Sequence, residues 1–254
     1  MKLNFKTYGE GEPLIILHGL LGSLDNWATL AKKFAEDYTV FVIDQRNHGK
    51  SPHSKEFNYQ VLSDDLLEFM DEHYISSAHI LGHSMGGKTA MNFAVENPEK
   101  VDKLIIADIA PVRYTGGHKF IFDALFSVDL ATVKSRKEVE NQLEKYIKEF
   151  GIRQFLMKGL TRNAERQFIW KFNIKDIWDS YENIIDTFDS SDAVFNEETL
   201  FIKGENSNYI IKDYFSVIEP IFPKYTLKTI KNTGHWLHAE QPLAFYKIVT
   251  DFLK

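Results

Sequence analysis

The chain has 254 residues, with 30 Lys+Arg against 36 Asp+Glu, so its formal net charge is −6 with His neutral. A hydrophobic fraction of 44% and a charged fraction of 26% suit one large globular domain with room for an insertion. The mildly acidic balance, without a Lys/Arg stripe interleaved with aromatics, argues against nucleic acid as a partner, and zero Cys excludes disulfides, thiolate metal sites and a Cys nucleophile.

Met1 to Pro13 carries Lys2, Lys6, Glu10 and Glu12 and shows no apolar stretch of signal-peptide length. No window reaches the roughly 18–20 apolar residues of a membrane span. A soluble, cytoplasmic protein is therefore expected, while nothing in the sequence specifies an oligomeric state. Short, largely apolar runs follow at Leu14–Leu17, Thr39–Ile43, Ala78–Leu81 and Leu104–Ala107, and again at Leu200–Ile202 and Tyr225–Ile230. Runs without polar alternation suit strands buried on both faces of a parallel sheet. Helix-period segments lie between them: Asn26–Glu36, Tyr59–His73, Lys88–Glu96 and Leu243–Leu253. The alternation predicts an α/β doubly wound sheet.

From Pro111 to about Asp192 that rhythm stops. The stretch has no strand-like run and reads as helices, such as Lys137–Phe150 and Arg166–Ile177. It is rich in aromatics that include Phe120, Phe122, Phe126, Phe155 and Trp178. The expected division is a core of residues 1–110 and 193–254 with a helical cap at 111–192 over the ligand-binding rim.

The sharpest chemical signal is Gly82-His83-Ser84-Met85-Gly86-Gly87. A bare G-x-S-x-G is weak, but this one sits between a strand and a helix. Such a tight turn strains the backbone and projects the Ser84 hydroxyl above the sheet. A hydroxyl needs a base to become a nucleophile. His235, in Asn232-Thr233-Gly234-His235-Trp236, follows the last strand and so belongs on the same rim as Ser84. His238, three residues on, reads as a helix cap or a surface residue. His18 braces its loop. His79 and His83 at i, i+4 on a strand lie roughly 13 Å apart, too far to share one metal ion. The carboxylate that orients the base is Asp108, at the end of a buried strand where a charge needs a partner. Glu205 stands second, and Asp186, Asp189 or Asp192 remain open. Oxyanion donors are the Met85 N–H and, from the loop His18-Gly19-Leu20-Leu21-Gly22-Ser23, the Leu20 N–H. Asp44 and Arg46, in Asp44-Gln45-Arg46-Asn47-His48-Gly49, read as turn-stabilising partners. Substrate contacts are assigned to His83, Trp236, Phe122 and Phe126.

These blocks, with Asp108-Ile109-Ala110-Pro111-Val112 and Gly234-His235-Trp236-Leu237-His238-Ala239-Glu240, resemble the α/β-hydrolase superfamily, more narrowly the YbfF-like esterases and their mitochondrial abhydrolase-domain relatives. The resemblance implies an α/β-hydrolase fold with the cap after the sixth strand. It also implies hydrolysis of esters with short to medium acyl chains, without metal or cofactor. Superfamily members commonly carry G-x-x-D after the penultimate strand, whereas this chain has Ser207 at the acidic position, in accord with Asp108 as the acid. Aryl and thioesters fit the same reading, with a small-molecule ester as the only partner. Two other functions stand behind it. One is carbon–carbon bond hydrolysis or lysis by the same triad, with Arg113, Arg162 or Arg166 holding a substrate carboxylate. The other is a non-catalytic small-molecule receptor. An Asp nucleophile, as in dehalogenases and epoxide hydrolases, is disfavoured by Ser84.

Overall fold

Buried apolar runs form the centre of the molecule. The computed structural model describes residues 1–188 and 194–254, which form a seven-stranded sheet with a helical insertion. Strands β1 (Phe5–Tyr8), β2 (Glu12–Leu17), β3 (Tyr38–Ile43), β4 (Ala78–His83) and β5 (Val101–Ala107) precede the insertion. Helices α1 (Ala28–Phe34), α2 (Tyr59–Glu72) and α3 (Met85–Glu96) alternate with them. The insertion holds α4 (Lys119–Ser127), α5 (Arg136–Leu143), α6 (Phe150–Lys158), the hairpin β6 (Leu160–Arg162) and β7 (Phe168–Trp170), α7 (Ile174–Asp179) and α8 (Tyr181–Ile185). The chain closes with β8 (Thr199–Gly204), α9 (Phe215–Ile221), β9 (Tyr225–Ile230), α10 (Leu237–Glu240) and α11 (Pro242–Leu253).

The sheet order is β1-β3-β2-β4-β5-β8-β9, parallel except for β1 at one edge. Successive side chains on a strand point to opposite faces. Ile15, Leu17, Ile80, Leu104, Ile106 and Phe201 accordingly pack with α2 and α3 on one face. Leu14, Ile16, Leu81, Ile105, Leu200 and Ile202 pack with α1 and α11 on the other. Two buried faces explain why these strands read as unbroken apolar runs. No helix among the described residues is long and apolar enough to cross a membrane.

Three expectations need correction. The insertion follows the fifth strand in chain order, not the sixth, because a single antiparallel strand, β1, precedes the parallel ones. The insertion also contains strands. Phe168, Trp170 and Phe172 recur every second residue, and the first and second of them lie on β7, which pairs antiparallel with β6, where a helix over Arg166–Ile177 was expected. The long helix expected over Lys137–Phe150 is split into α5 and α6. There the buried Arg153 guanidinium donates to the carbonyls of Ile147 and Lys148 (3.0 and 2.8 Å), which a continuous helix would have used internally. The expected boundary at 192/193 lies outside the described residues.

Where α3 meets the sheet the backbones nearly touch. A Cβ on Gly86 would stand 2.5 Å from the Leu17 carbonyl oxygen and 2.6 Å from that of His18, both main-chain atoms with little room to yield. Gly86→Ala is expected to destabilise the protein by about 3 kcal/mol through overpacking, read as a lower urea midpoint at unchanged m-value.

Candidate active site

Ser84 links β4 to α3 with φ 53° and ψ −119°, a region that L-residues avoid unless their surroundings enforce it. The enforcement is visible. Ser84 N–H donates to the Ala107 carbonyl (3.0 Å), while the Ser84 carbonyl accepts from Gly87 and Lys88 (2.8 and 3.1 Å) as the first turn of α3. Gly82 makes the turn possible, since a Cβ there would lie 2.2 Å from the Gly86 oxygen.

His235 arrives on the loop between β9 and α10. Glu240 folds back to accept from the N–H groups on either side of it, Gly234 at 2.8 Å and Trp236 at 3.2 Å. The His83 Nε2–H donates to the His235 carbonyl at 2.8 Å. Burial, then the neighbouring His238 and His235 rings, hold His83 well below the ordinary histidine range, so it stays neutral with one proton to give. With its backbone held, His235 places Nε2 where Ser84 Oγ donates to it at 2.9 Å. Its Nδ1–H donates to Asp108 Oδ2 at 2.8 Å.

Asp108 is fully buried just beyond β5, with φ 53°. Its N–H continues the ladder to the Ile202 carbonyl at 2.8 Å. This turns the carboxylate towards the β8 turn, where Oδ1 accepts from Gly204 N–H at 3.0 Å and Oδ2 from the Ser207 hydroxyl. Ser207 thus stands as a hydrogen-bond donor to the Asp108 carboxylate. Of the alternatives, Glu205 accepts from Asn232 N–H at 2.9 Å on the outside of the loop. Asp186 pairs with Arg113 at 2.7 Å on the surface. Asp189 and Asp192 lie outside the described residues.

The loop after β2 brings Leu20 beside Ser84, and Met85 opens α3. Among the described residues neither backbone N–H has a protein acceptor, and both residues line the cavity that contains Ser84 and His235. His18, buried, accepts from Gln45 N–H at 3.1 Å through Nε2 and so braces this loop. Asp44 accepts from Leu24 and Lys50 N–H (2.8 and 3.0 Å), and Arg46 Nε and Nη2 donate to Asp65 (2.6 and 2.9 Å), tying the next turn to α2. Both are structural partners, as expected. Among the described residues no group of three or more His, Cys, Asp or Glu is placed to hold a metal ion; His79 faces Glu12 at 3.4 Å.

The cavity walls are mostly apolar, with Ile109, Ile121, Ile152, Phe155 and Trp236 among them. Trp236 is where the sequence placed it, against Phe155 at 5.4 Å between ring centroids. His83 also lines the cavity, with its ring nitrogen spent on His235. Phe122 and Phe126 do not line it. Phe122 is fully buried against Trp178 and Tyr181, 4.9 and 5.4 Å away, and Phe126 is half exposed. On α4 the inward face carries Ile121, one residue from the expected Phe122. His238 is a further correction: it is buried and stacks on Trp27 at 4.3 Å, neither a cap nor a surface group. Burial pushes it down to about 3.

Lys88, one helical turn past Ser84, also reaches the cavity. Its ammonium donates to the carbonyls of Ile185 and Asp186 from the insertion and lies 4.7 Å over the Tyr114 ring. Burial lowers it from 10.5 to about 7. The unfolded chain therefore binds more protons than the folded one between pH 7 and 10.5, so this group's contribution to stability improves as pH rises through that window. Lys88→Met is expected to flatten the rise, measured as urea midpoint against pH from 7 upward.

A serine, a histidine and an aspartate joined by hydrogen bonds at the C-terminal rim of a parallel sheet, beside two free backbone N–H groups, form equipment for nucleophilic acyl transfer. Residues 12–242 match the family model described as the alpha/beta hydrolase fold, and the chain belongs to that family. It is similar to esterase YbfF of Escherichia coli (strain K12), at 33% identity over 259 residues covering 100% of this chain and 99% of that one. It is also similar to the sn-1-specific diacylglycerol lipase ABHD11 of Danio rerio, at 36% identity over 259 residues covering 98% and 81%. A solved structure, a marine microorganism esterase, superposes with a TM-score of 0.96 at 44% identity over 99% of both chains.

The sequence reading missed Tyr209, His118 and Ile121 as cavity residues, and named Phe155 only as one of the cap's aromatics. Ile121 carries only the ordinary signal of an amphipathic helix, and nothing local marks Tyr209 or His118.

Proposed function

We propose that this carboxylic-ester hydrolase cleaves uncharged esters of short to medium acyl chains, aryl and thioesters included, through an acyl-enzyme on Ser84. Ser84 Oγ attacks the acyl carbonyl as its proton passes to His235 Nε2. Asp108 keeps the Nδ1–H tautomer and stabilises the imidazolium. The oxyanion is held by Leu20 and Met85 N–H, donors whose loss individually costs on the order of 10²–10³ in rate. Collapse expels the alcohol or thiol, which takes the proton back from His235. Water, deprotonated by the same nitrogen, then releases the acid and restores Ser84.

The observation that carries this reading is the 2.9 Å contact between Ser84 Oγ and His235 Nε2 inside an apolar cavity. A substrate carrying a carboxylate, as carbon–carbon bond chemistry would need, is disfavoured: Lys88, which reaches the cavity, already donates to the Ile185 and Asp186 carbonyls. Arg113 is paired at the surface with Glu182 and Asp186, Arg162 lies 4.0 Å over Phe168, and none of Arg113, Arg162 or Arg166 lines the cavity.

The test is fluorophosphonate labelling, located by peptide mass spectrometry, with p-nitrophenyl esters from acetate to dodecanoate. Labelling at Ser84, and kcat/KM highest among the shorter chains, is the expected result. An unlabelled Ser84 would leave a receptor as the better account, and hydrolysis confined to carboxylate-bearing substrates would favour the carbon–carbon reading.

A further inference from the structure

Hydrogen bonds at Nδ1 and Nε2 hold the two nitrogens of the His235 imidazole, and the freedom that remains is a small roll of the ring through its side-chain torsions. What limits the roll is packing on its faces. Of the rings beside it, Tyr209 is nearest and closest to parallel, at 4.0 Å and 23° between planes. His83 stands at 4.7 Å and 41°, and Trp236 at 6.0 Å and 62°.

Tyr209 is itself held from three directions. Its N–H donates to Ser207 Oγ at 3.3 Å, the hydroxyl that also serves Asp108. Its carbonyl accepts from the Tyr114 hydroxyl at 2.6 Å. Its hydroxyl is hydrogen-bonded to His118 Nε2 at 3.2 Å, and His118 Nδ1 to the Tyr181 hydroxyl at 2.7 Å, both from the insertion. Burial lowers His118 to about 4, so this link is between neutral groups near neutral pH.

We propose that Tyr209 is a positioning residue: its ring sets the roll of the His235 imidazole, and its hydroxyl, through His118 and Tyr181, makes that orientation depend on the seating of the cap. The inference rests on His235 being the base. An aromatic face against the imidazole both aims Nε2 at Ser84 and favours the cation formed as the proton moves. Misalignment of a reacting group by about 1 Å can cost 10²-fold, so a rolled imidazole would lower kcat while ground-state binding of a small ester persisted.

The experiment compares Tyr209→Leu, Tyr209→Phe and His118→Leu with wild type and Ser84→Ala on p-nitrophenyl acetate, alongside thermal melts and fluorophosphonate labelling rates. Tyr209→Leu is expected to lower kcat by about 10- to 50-fold with KM within about threefold, and to slow labelling equally. Tyr209→Phe keeps the aromatic face but breaks the same hydroxyl link as His118→Leu, so both should lose only about three- to tenfold in kcat. The proposal is overturned if Tyr209→Leu stays within about twofold of wild type, or if Tyr209→Phe falls as far as Tyr209→Leu. Should Tyr209→Leu fail to melt cooperatively, His118→Leu decides: reduced kcat at unchanged KM supports the coupling, and unchanged kcat refutes it. Full activity in Ser84→Ala would mean that the triad reading had failed, a result distinct from any of these.

Discussion

Ser84→Ala is expected to lower kcat for p-nitrophenyl acetate by at least about 10⁴-fold, since without Oγ no acyl-enzyme can form and only binding and oxyanion contacts remain. The Oγ has His235 Nε2 as its partner, and the strained turn is enforced by backbone contacts that a methyl side chain leaves in place. The fold should therefore persist, with a thermal midpoint near that of wild type and KM little changed. Fluorophosphonate labelling should vanish in the same variant. Normal turnover by a folded Ser84→Ala protein would remove the mechanism altogether.

The second large effect concerns the acid. Asp108→Asn is expected to cost at least about 100-fold in kcat, and Glu205→Gln less than about tenfold. An asparagine can still accept from Gly204 N–H through its amide oxygen. Its NH₂ group then faces the Ser207 hydroxyl and His235 Nδ1, where Asp108 Oδ2 accepts from both. A donor opposite Nδ1 selects the imidazole tautomer with its proton on Nε2, aimed at Ser84, and that tautomer cannot act as a base. The shape of the site changes little while its chemistry is inverted. Glu205, by contrast, accepts from Asn232 N–H on the outside of the loop, and its loss should touch the base only through the seating of that loop. Kinetics of both variants on one ester separate the carboxylates, and equal losses would contradict the assignment of Asp108.

Much of the layout could be read from local pattern. The run Leu14–Leu17 announced a strand because both faces of the sheet are buried there, and Tyr59–Glu72 kept the 3.6-residue stripe of a helix with one buried side. β1 escaped notice because it is an edge strand whose two central residues, Lys6 and Thr7, are exposed. The cap hairpin falls where a helix over Arg166–Ile177 was expected, although Phe168, Trp170 and Phe172 stand at a spacing of two, which is the strand period.

The sequence by itself determined the parallel sheet, the strained serine turn and the histidine loop, because each depends on a few neighbouring residues whose period and backbone preferences are local properties. Only the tertiary structure decided which carboxylate meets the imidazole and which cap side chains face the cavity. The register of β5 against β8, Ala107 beside Ile202, sets Asp108 opposite Gly204 and Ser207. The rotation of α4 turns Ile121 inward and sends Phe122 into the cap's own core. Both outcomes follow from contacts between residues far apart in the chain, and side-chain packing at that range has no signature in any short stretch of sequence.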